Sequence, residues 1–456
     1  MAAMTLHPLV ILAIAIAVVF VLILRLRINA FIALITAATT VGILSPNVGL
    51  AEVMPSVAGE FGGVCASIAI VIALAALIGQ CLMESGAADK IVRVFVRALG
   101  EKHASLSLLS SGYVLSVPVF FDTVFYLLVP LARAMRVRMG KHYLLFLMAI
   151  SAGGAVTHSM VPPTPGPLAM AATLGIDLGV MILVGAIIAV PMSVGGWLFG
   201  ILRDRQLAVP LRETQGLTLD ELEELAQKGE ERLPSFFMAM LPIVLPVVLI
   251  ASNTLVGALE VGGVLSDVTS FLGNPNLALL ASAAISLVLL AKQKGYSLAQ
   301  LAGPVETSLA SGGLIILITA AGGSFGKMLV RADVGKVIGD TSQEFGVPLL
   351  LLSFLLGALL KVAQGSGTVA MITVSAIMVP LVVDTPIGFH AVYVACAIGS
   401  GSLVGSWMND SGFWVYKQMS GLTESEALQT WTPLLAVMGV IGYVVTQIAA
   451  LVLPLA

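Results

Sequence analysis

The chain has 456 residues, 58% of them hydrophobic and 10% charged, with a mean hydropathy of +1.05. A soluble domain carries about 25% charged residues to cover its surface, so the main solvent of this chain must be lipid. The formal net charge of −3 comes with no basic stripe interleaved with aromatics, which excludes a nucleic-acid partner.

A helix needs about 20 apolar residues to cross the hydrocarbon. In chain order, spans are predicted near 6–24, 28–45, 64–83, 143–160, 178–200, 236–256, 275–291, 304–325, 387–405 and 431–454. The first run has no basic segment ahead of it and carries Arg25 and Arg27 behind it. It therefore reads as a retained helix rather than a cleaved signal peptide. Cys65, Cys81 and Cys396 lie inside apolar stretches with no CxxC spacing. They read as small buried hydrophobes, without a disulfide framework or metal site.

Two further apolar stretches, 105–135 and 347–383, are too long for one helix and are broken in the middle. The breaks fall at Ser116-Val117-Pro118 and at Gln364-Gly365-Ser366-Gly367. Arms this short predict two re-entrant hairpins. The polar segment 203–235 reads as a cytoplasmic linker, with an amphipathic helical pattern at 219–225. It is too short for a catalytic domain. With Arg25 and Arg27 in the cytoplasm, every Lys and Arg falls there except four. Lys327, Arg331 and Lys336 lie outside, and Lys361 lies in a hairpin arm, where it fits either an anion-binding group or, as the favoured reading, a side chain snorkelling outward. That bias follows the positive-inside rule.

The segments before and after the linker match weakly but in common order. Ile28-Asn29-Ala30-Phe31 parallels Pro275-Asn276-Leu277-Ala278. Thr123-Val124 with Val129-Pro130-Leu131 parallels Thr368-Val369 with Val379-Pro380-Leu381. Residues 1–202 and 236–456 therefore read as inverted repeats around the 203–235 linker. The expected fold is an all-α polytopic membrane protein, with two re-entrant hairpins and two interrupted helices. That is the architecture of secondary transporters, which bind substrate between the repeats.

The two interrupted helices run Thr157-His158-Ser159-Met160-Val161-Pro162-Pro163-Thr164-Pro165-Gly166-Pro167 and Gly405-Ser406-Trp407-Met408-Asn409-Asp410-Ser411-Gly412. A run so rich in proline cannot continue a helix. Broken backbone at membrane depth must be satisfied by protein, water or ligand. Half-helix N-termini present free N–H groups and a positive dipole end to a carboxylate. Asp122 sits in a strongly apolar run, where an acidic residue serves or is paired. Asp410 fits the same reading or an interfacial helix cap. His158 fits either a titrating or a structural histidine. Glu84 and Lys327 lie at predicted helix ends and read as solvated. Gly326-Lys327 lacks both the leading glycine and the Ser or Thr of a phosphate loop. The driving force must then be an ion gradient or the substrate's own.

These motifs resemble the gluconate permease family of bacterial proton symporters, within the larger ion transporter superfamily. The stretches that carry the resemblance are Phe120-Phe121-Asp122 leading into Leu128-Val129-Pro130-Leu131, Thr157-His158 with 162–167, Gly365-Ser366-Gly367-Thr368-Val369-Ala370, and Gly399-Ser400-Gly401-Ser402 running to Asn409-Asp410-Ser411-Gly412-Phe413-Trp414. The resemblance implies proton-coupled uptake of gluconate or a related sugar acid across the bacterial inner membrane. It also implies a homodimer with a fixed scaffold and a moving, elevator-like transport domain. Thr164 stands where gluconate transporters often have histidine, and Asp122 where several have glutamate. Aspartate there looks like the branch that includes D-serine and other sugar-acid permeases.

The expected substrate contacts are Ser116, Thr123, Ser366 and Thr368 on the carboxylate and Thr157, Ser159, Thr164, Ser406 and Asn409 on hydroxyls. Asp122, with Asp410 or His158, is expected to carry the proton. No cofactor is expected, and sodium stays open as the coupling ion. The alternatives are a symporter for D-serine or another small amino or hydroxy acid, a channel, and a membrane-embedded enzyme. No His-Glu cluster or Gly-x-Ser-x-Gly elbow supports the last.

Overall fold

Lipid offers the backbone no hydrogen-bond partner, so an apolar run satisfies itself by coiling. The computed structural model describes residues 6–100, 103–212, 233–334, 348–383, 387–408 and 410–455, and these form helices and no strand. Before the linker come α1 (Pro8–Phe20), α2 (Ala30–Leu44), α3 (Val53–Glu84), α4 (Ala87–Leu99), α5 (Ala104–Leu115), α6 (Phe121–Met139), α7 (Tyr143–Met160), α8 (Pro165–Leu174) and α9 (Leu178–Gln206). After it come α10 (Phe236–Ala258), α11 (Val264–Leu272), α12 (Pro275–Lys294), α13 (Ala302–Arg331), α14 (Leu349–Gln364), α15 (Gly367–Val383), α16 (Val392–Gly401), α17 (Ser411–Met419) and α18 (Glu424–Val452). The predicted linker helix at 219–225 and Lys336 lie outside the described residues.

Side chains fix many of the starts. Asn29, Asp177 and Asn274 accept backbone N–H groups at the heads of α2, α9 and α12. Thr423 and Glu426 form a capping box on α18, so that helix begins at Glu424, ahead of the apolar run at 431. Likewise α3 begins at Val53, well before the predicted 64, and takes in Glu60. Glu60 pairs with Arg331 of α13 at 2.7 Å. Gly326 lies within α13, so the Gly326-Lys327 pair forms no loop. Glu84 is half-buried and accepts from Gln80 Nε2 at 2.6 Å. The predicted 387–405 span shortens to α16, which ends at Gly401 and gives way to a turn over residues 402–405, with Gly405 at φ 79°.

Each long apolar stretch is two helices. α5 and α6 are separated by residues 116–120, and α14 and α15 by Gly365 and Ser366. Gly365 has φ 92°, a conformation glycine adopts without steric cost.

The packing repeats along the chain. α1 packs on α2 as α10 packs on α12. α5 lies on α7 and α7 on α9, as α14 lies on α16 and α16 on α18. α2 contacts α13 while α12 contacts α3, and α3 packs on α13, as α9 does on α18. Glycine makes two of these contacts possible. A Cβ on Gly153 would stand 2.1 Å from Leu109 O of α5, and one on Gly401 would stand 2.1 Å from Phe354 O of α14. Small residues let membrane helices meet backbone to backbone. The α7–α8 segment sits innermost, with 94% of its apolar window buried in protein against 33% for α18.

Candidate functional site

Three helices begin at one cavity of about 230 Å³. α6 starts at Phe121, once Phe120 has turned the chain to extended geometry after Pro118. α15 starts at Gly367, where Ser366 Oγ accepts from Val369 N at 3.3 Å. α17 starts at Ser411, where Asp410 Oδ1 accepts from Gly412 N at 3.1 Å. Residues 120–122, 366–368 and 410–412 all line the cavity. Each helix N-terminus carries roughly half a positive charge, so three of them favour an anion between them.

A buried ion pair closes one side. Lys361, on the last turn of α14, is 4% exposed. Its Nζ donates to Asp410 Oδ2 at 2.8 Å and to Gly365 O at 2.5 Å. Ser406 Oγ also donates to Asp410 Oδ2, and Trp431 Nε1 donates to Ser406 Oγ at 2.7 Å. A charge at such depth is costly unless paired and hydrogen-bonded, and this network supplies both. The expected snorkelling of Lys361 is therefore corrected. Asp410 offers a nearer partner than the membrane surface does.

A stack of aromatic rings adjoins the ion pair, joined to it through Trp431 and Ser406. The Phe121 and Trp431 centroids lie 5.3 Å apart, Trp431 and Tyr416 5.2 Å, and Tyr416 and Phe125 5.5 Å. They lock the head of α6 to α17 and α18. Phe120 meets the His158 ring edge-on at 6.0 Å.

Of the residues predicted from sequence, Asp122, His158, Ser159, Ser366, Thr368 and Asp410 line the cavity. Ser406 stands behind it, bonded to Asp410. Thr164 does not line it, and its hydroxyl donates to Val161 O of its own turn at 2.6 Å. Ser116 and Thr157 are also outside the lining, and both hydroxyls are buried with no partner among the described residues. Ser116 lies against Gly154 of α7, and Thr157 is one helical step off the face that carries His158 and Ser159. Thr123 is outside the lining as well. Asn409 lies outside the described residues. The sequence reading assigned no site role to Ser402, Ser411, Met371 and Trp431, which line the cavity, and for Lys361 it favoured snorkelling over anion binding. Lys361 alone had a signal, a cation in an otherwise apolar arm. Among the described residues no group of three His, Cys, Asp or Glu is placed to hold a metal ion.

The family model of the GntP family permeases matches residues 7–452. A gluconate permease of Pseudomonas aeruginosa is 34% identical over 430 residues, covering 93% of this chain and 94% of that one. A Gnt-II system L-idonate transporter of Escherichia coli is 31% identical, covering 95% and 98%. Among solved structures, the efflux pump MtrF of Neisseria gonorrhoeae shares the fold. Its TM-score is 0.69 at 16% identity, over 100% of this chain and 97% of that one. These likenesses and the apolar helices identify a transporter rather than an enzyme. The chain belongs to the GntP permease family and is a multi-pass protein of the bacterial inner membrane.

Proposed function

We propose that this permease takes up gluconate or a related sugar acid together with a proton. One observation carries the reading: the Lys361 ammonium and three helix N-termini border a single cavity that also presents the Ser159, Ser366, Thr368 and Ser402 hydroxyls. A carboxylate fits the positive ends, and a polyol chain fits the hydroxyls. The relatives named for gluconate and L-idonate point to the same substrate class.

The lining charges supply a reason for a proton. Lys361 stands against Asp410 and Asp122, so one cation faces two carboxylates. An entering anion adds to that excess, and a proton on the cluster cancels the addition. Asp122 accepts no hydrogen bond from the described residues and borders the cavity at the head of α6, so it admits and relays the proton. Asp410 and His158 are the further groups able to hold it.

The doubled packing pattern supports two inverted repeats, 1–202 and 236–456, around the 203–235 linker. In this reading the broken pairs α5–α6 and α14–α15 are re-entrant hairpins of a moving domain, carried elevator-fashion against a scaffold in a homodimer. Only differential stability of the two facing states is required. Uptake into membrane vesicles tests the coupling. With Asp122→Asn, gradient-driven accumulation of gluconate is expected to disappear while exchange across the membrane persists; full accumulation in that variant refutes the proton role.

A second reading is uptake of a small amino acid such as D-serine. It is favoured by the Asp122 carboxylate, which could pair with an α-ammonium group beside the anion-binding helix ends. Competition of labelled gluconate uptake by D-serine, glycerate and other sugar acids decides between them.

A further inference from the structure

Lys361 and Asp410 both border the cavity, and they do so bonded to each other. An ammonium group has only three N–H donors. Two of those on Lys361 already serve Asp410 Oδ2 at 2.8 Å and Gly365 O at 2.5 Å. Nζ also lies at the head of α15, 4.0 Å from where a Cβ on Gly367 would be. The best place for an incoming carboxylate is therefore the place Asp410 holds. Two ionised carboxylates crowding that position would repel each other.

We propose that Lys361 is the carboxylate-binding residue and Asp410 its exchangeable stand-in: a proton on Asp410 opens the pair, and the substrate carboxylate takes the vacated donor. The inference rests on the sugar-acid reading above and names the group that enforces its coupling.

The surroundings allow the exchange in place. Protonated Oδ2 turns from acceptor to donor and points its O–H at Ser406 Oγ, which stays anchored by Trp431 Nε1 at 2.7 Å. Oδ1 keeps the Gly412 N–H at 3.1 Å, so the cap on α17 survives. Lys361 keeps Gly365 O, so its ammonium stays at the hairpin break. One proton enters and one anion enters, so the charge of the site is the same empty and loaded. That equality lets both forms cross the membrane, whereas a half-loaded site is penalised.

Asp122 on α6 and His158 on α7 are the other titratable groups facing the pair, while α18 presents Trp431 and Leu435 and the turn after α16 presents Ser402 and Leu403. The test must therefore separate three sites. Equilibrium binding of gluconate and L-idonate to the purified full-length protein is measured between about pH 5.5 and 8.5. Linkage of one proton to one anion weakens wild-type binding by about tenfold per pH unit on the alkaline limb. Asp410→Asn is expected to flatten that slope and to hold the acid-limb affinity throughout. Asp122→Asn and His158→Gln are expected to keep the slope. Lys361→Gln is expected to lose at least tenfold in affinity at every pH.

A wild-type slope in Asp410→Asn, or wild-type affinity in Lys361→Gln, overturns the exchange. Should those variants fail to fold, proton uptake by the wild-type protein decides. In weakly buffered solution, binding is expected to remove about one proton per anion, and none removed overturns the exchange. A wild-type protein that binds neither acid at any pH refutes the sugar-acid reading itself. A purely structural ion pair would lower the melting temperature in both variants and leave the pH slope of any surviving binding intact.

Discussion

The two interrupted helices break in different ways. Between α7 and α8 the break is covalent. Pro162 and Pro163 supply no N–H groups, residues 161–164 are buried, and the Thr164 hydroxyl is spent on Val161 O. Between α16 and α17 residues 402–410 contain no proline. That break is held open by side chains: Asp410 on Gly412 N, Ser406 and Lys361 on Asp410, and Trp431 on Ser406. A proline break is indifferent to pH and ligand. A break held by an ion pair changes when a proton or an anion arrives. The first break thus carries rigidity and the second responsiveness.

Substitutions can break or sharpen that contrast. The largest effect is expected from Asp410→Ala, which uncaps α17 and leaves the Lys361 charge buried without its carboxylate. Losing one partner of a buried pair costs about 3–5 kcal/mol. A detergent melt of the purified protein should show a large drop in melting temperature, together with loss of uptake. A middle effect is expected from Trp431→Phe, which keeps the ring stack but removes the donor to Ser406. One hydrogen bond is worth about 1 kcal/mol, so the melt should shift modestly and gluconate affinity fall a few-fold. The smallest is expected from Thr164→Val. It deletes a local bond to Val161 O, again at about 1 kcal/mol or less, and should leave the KM for uptake unchanged. A large KM change there would mean that the proline break also reads substrate.

The sequence disclosed where the chain breaks better than which side chains face the gap. Helix-stopping residues are local, so the breaks near Pro118, Pro162 and Gly365 were readable from composition. Facing is not local. Thr157, His158 and Ser159 are consecutive, yet successive helical residues point about 100° apart, and only the last two reach the cavity. Lys361 was misread for a related reason. A cation in an apolar arm can snorkel or pair, and the partner that decides lies 49 positions away in sequence.

The enclosure of α7 and α8 has a consequence for what mutation can reach. A helix bathed in acyl chains tolerates changes of size but rejects polarity. α7 is wrapped by protein and already carries Ser151, Thr157, His158 and Ser159, so new polar groups are admissible on it. Added bulk is not, because Leu109 O leaves no room beside Gly153. Drift toward a new substrate is therefore confined on α7 to exchanges of chemistry at constant volume.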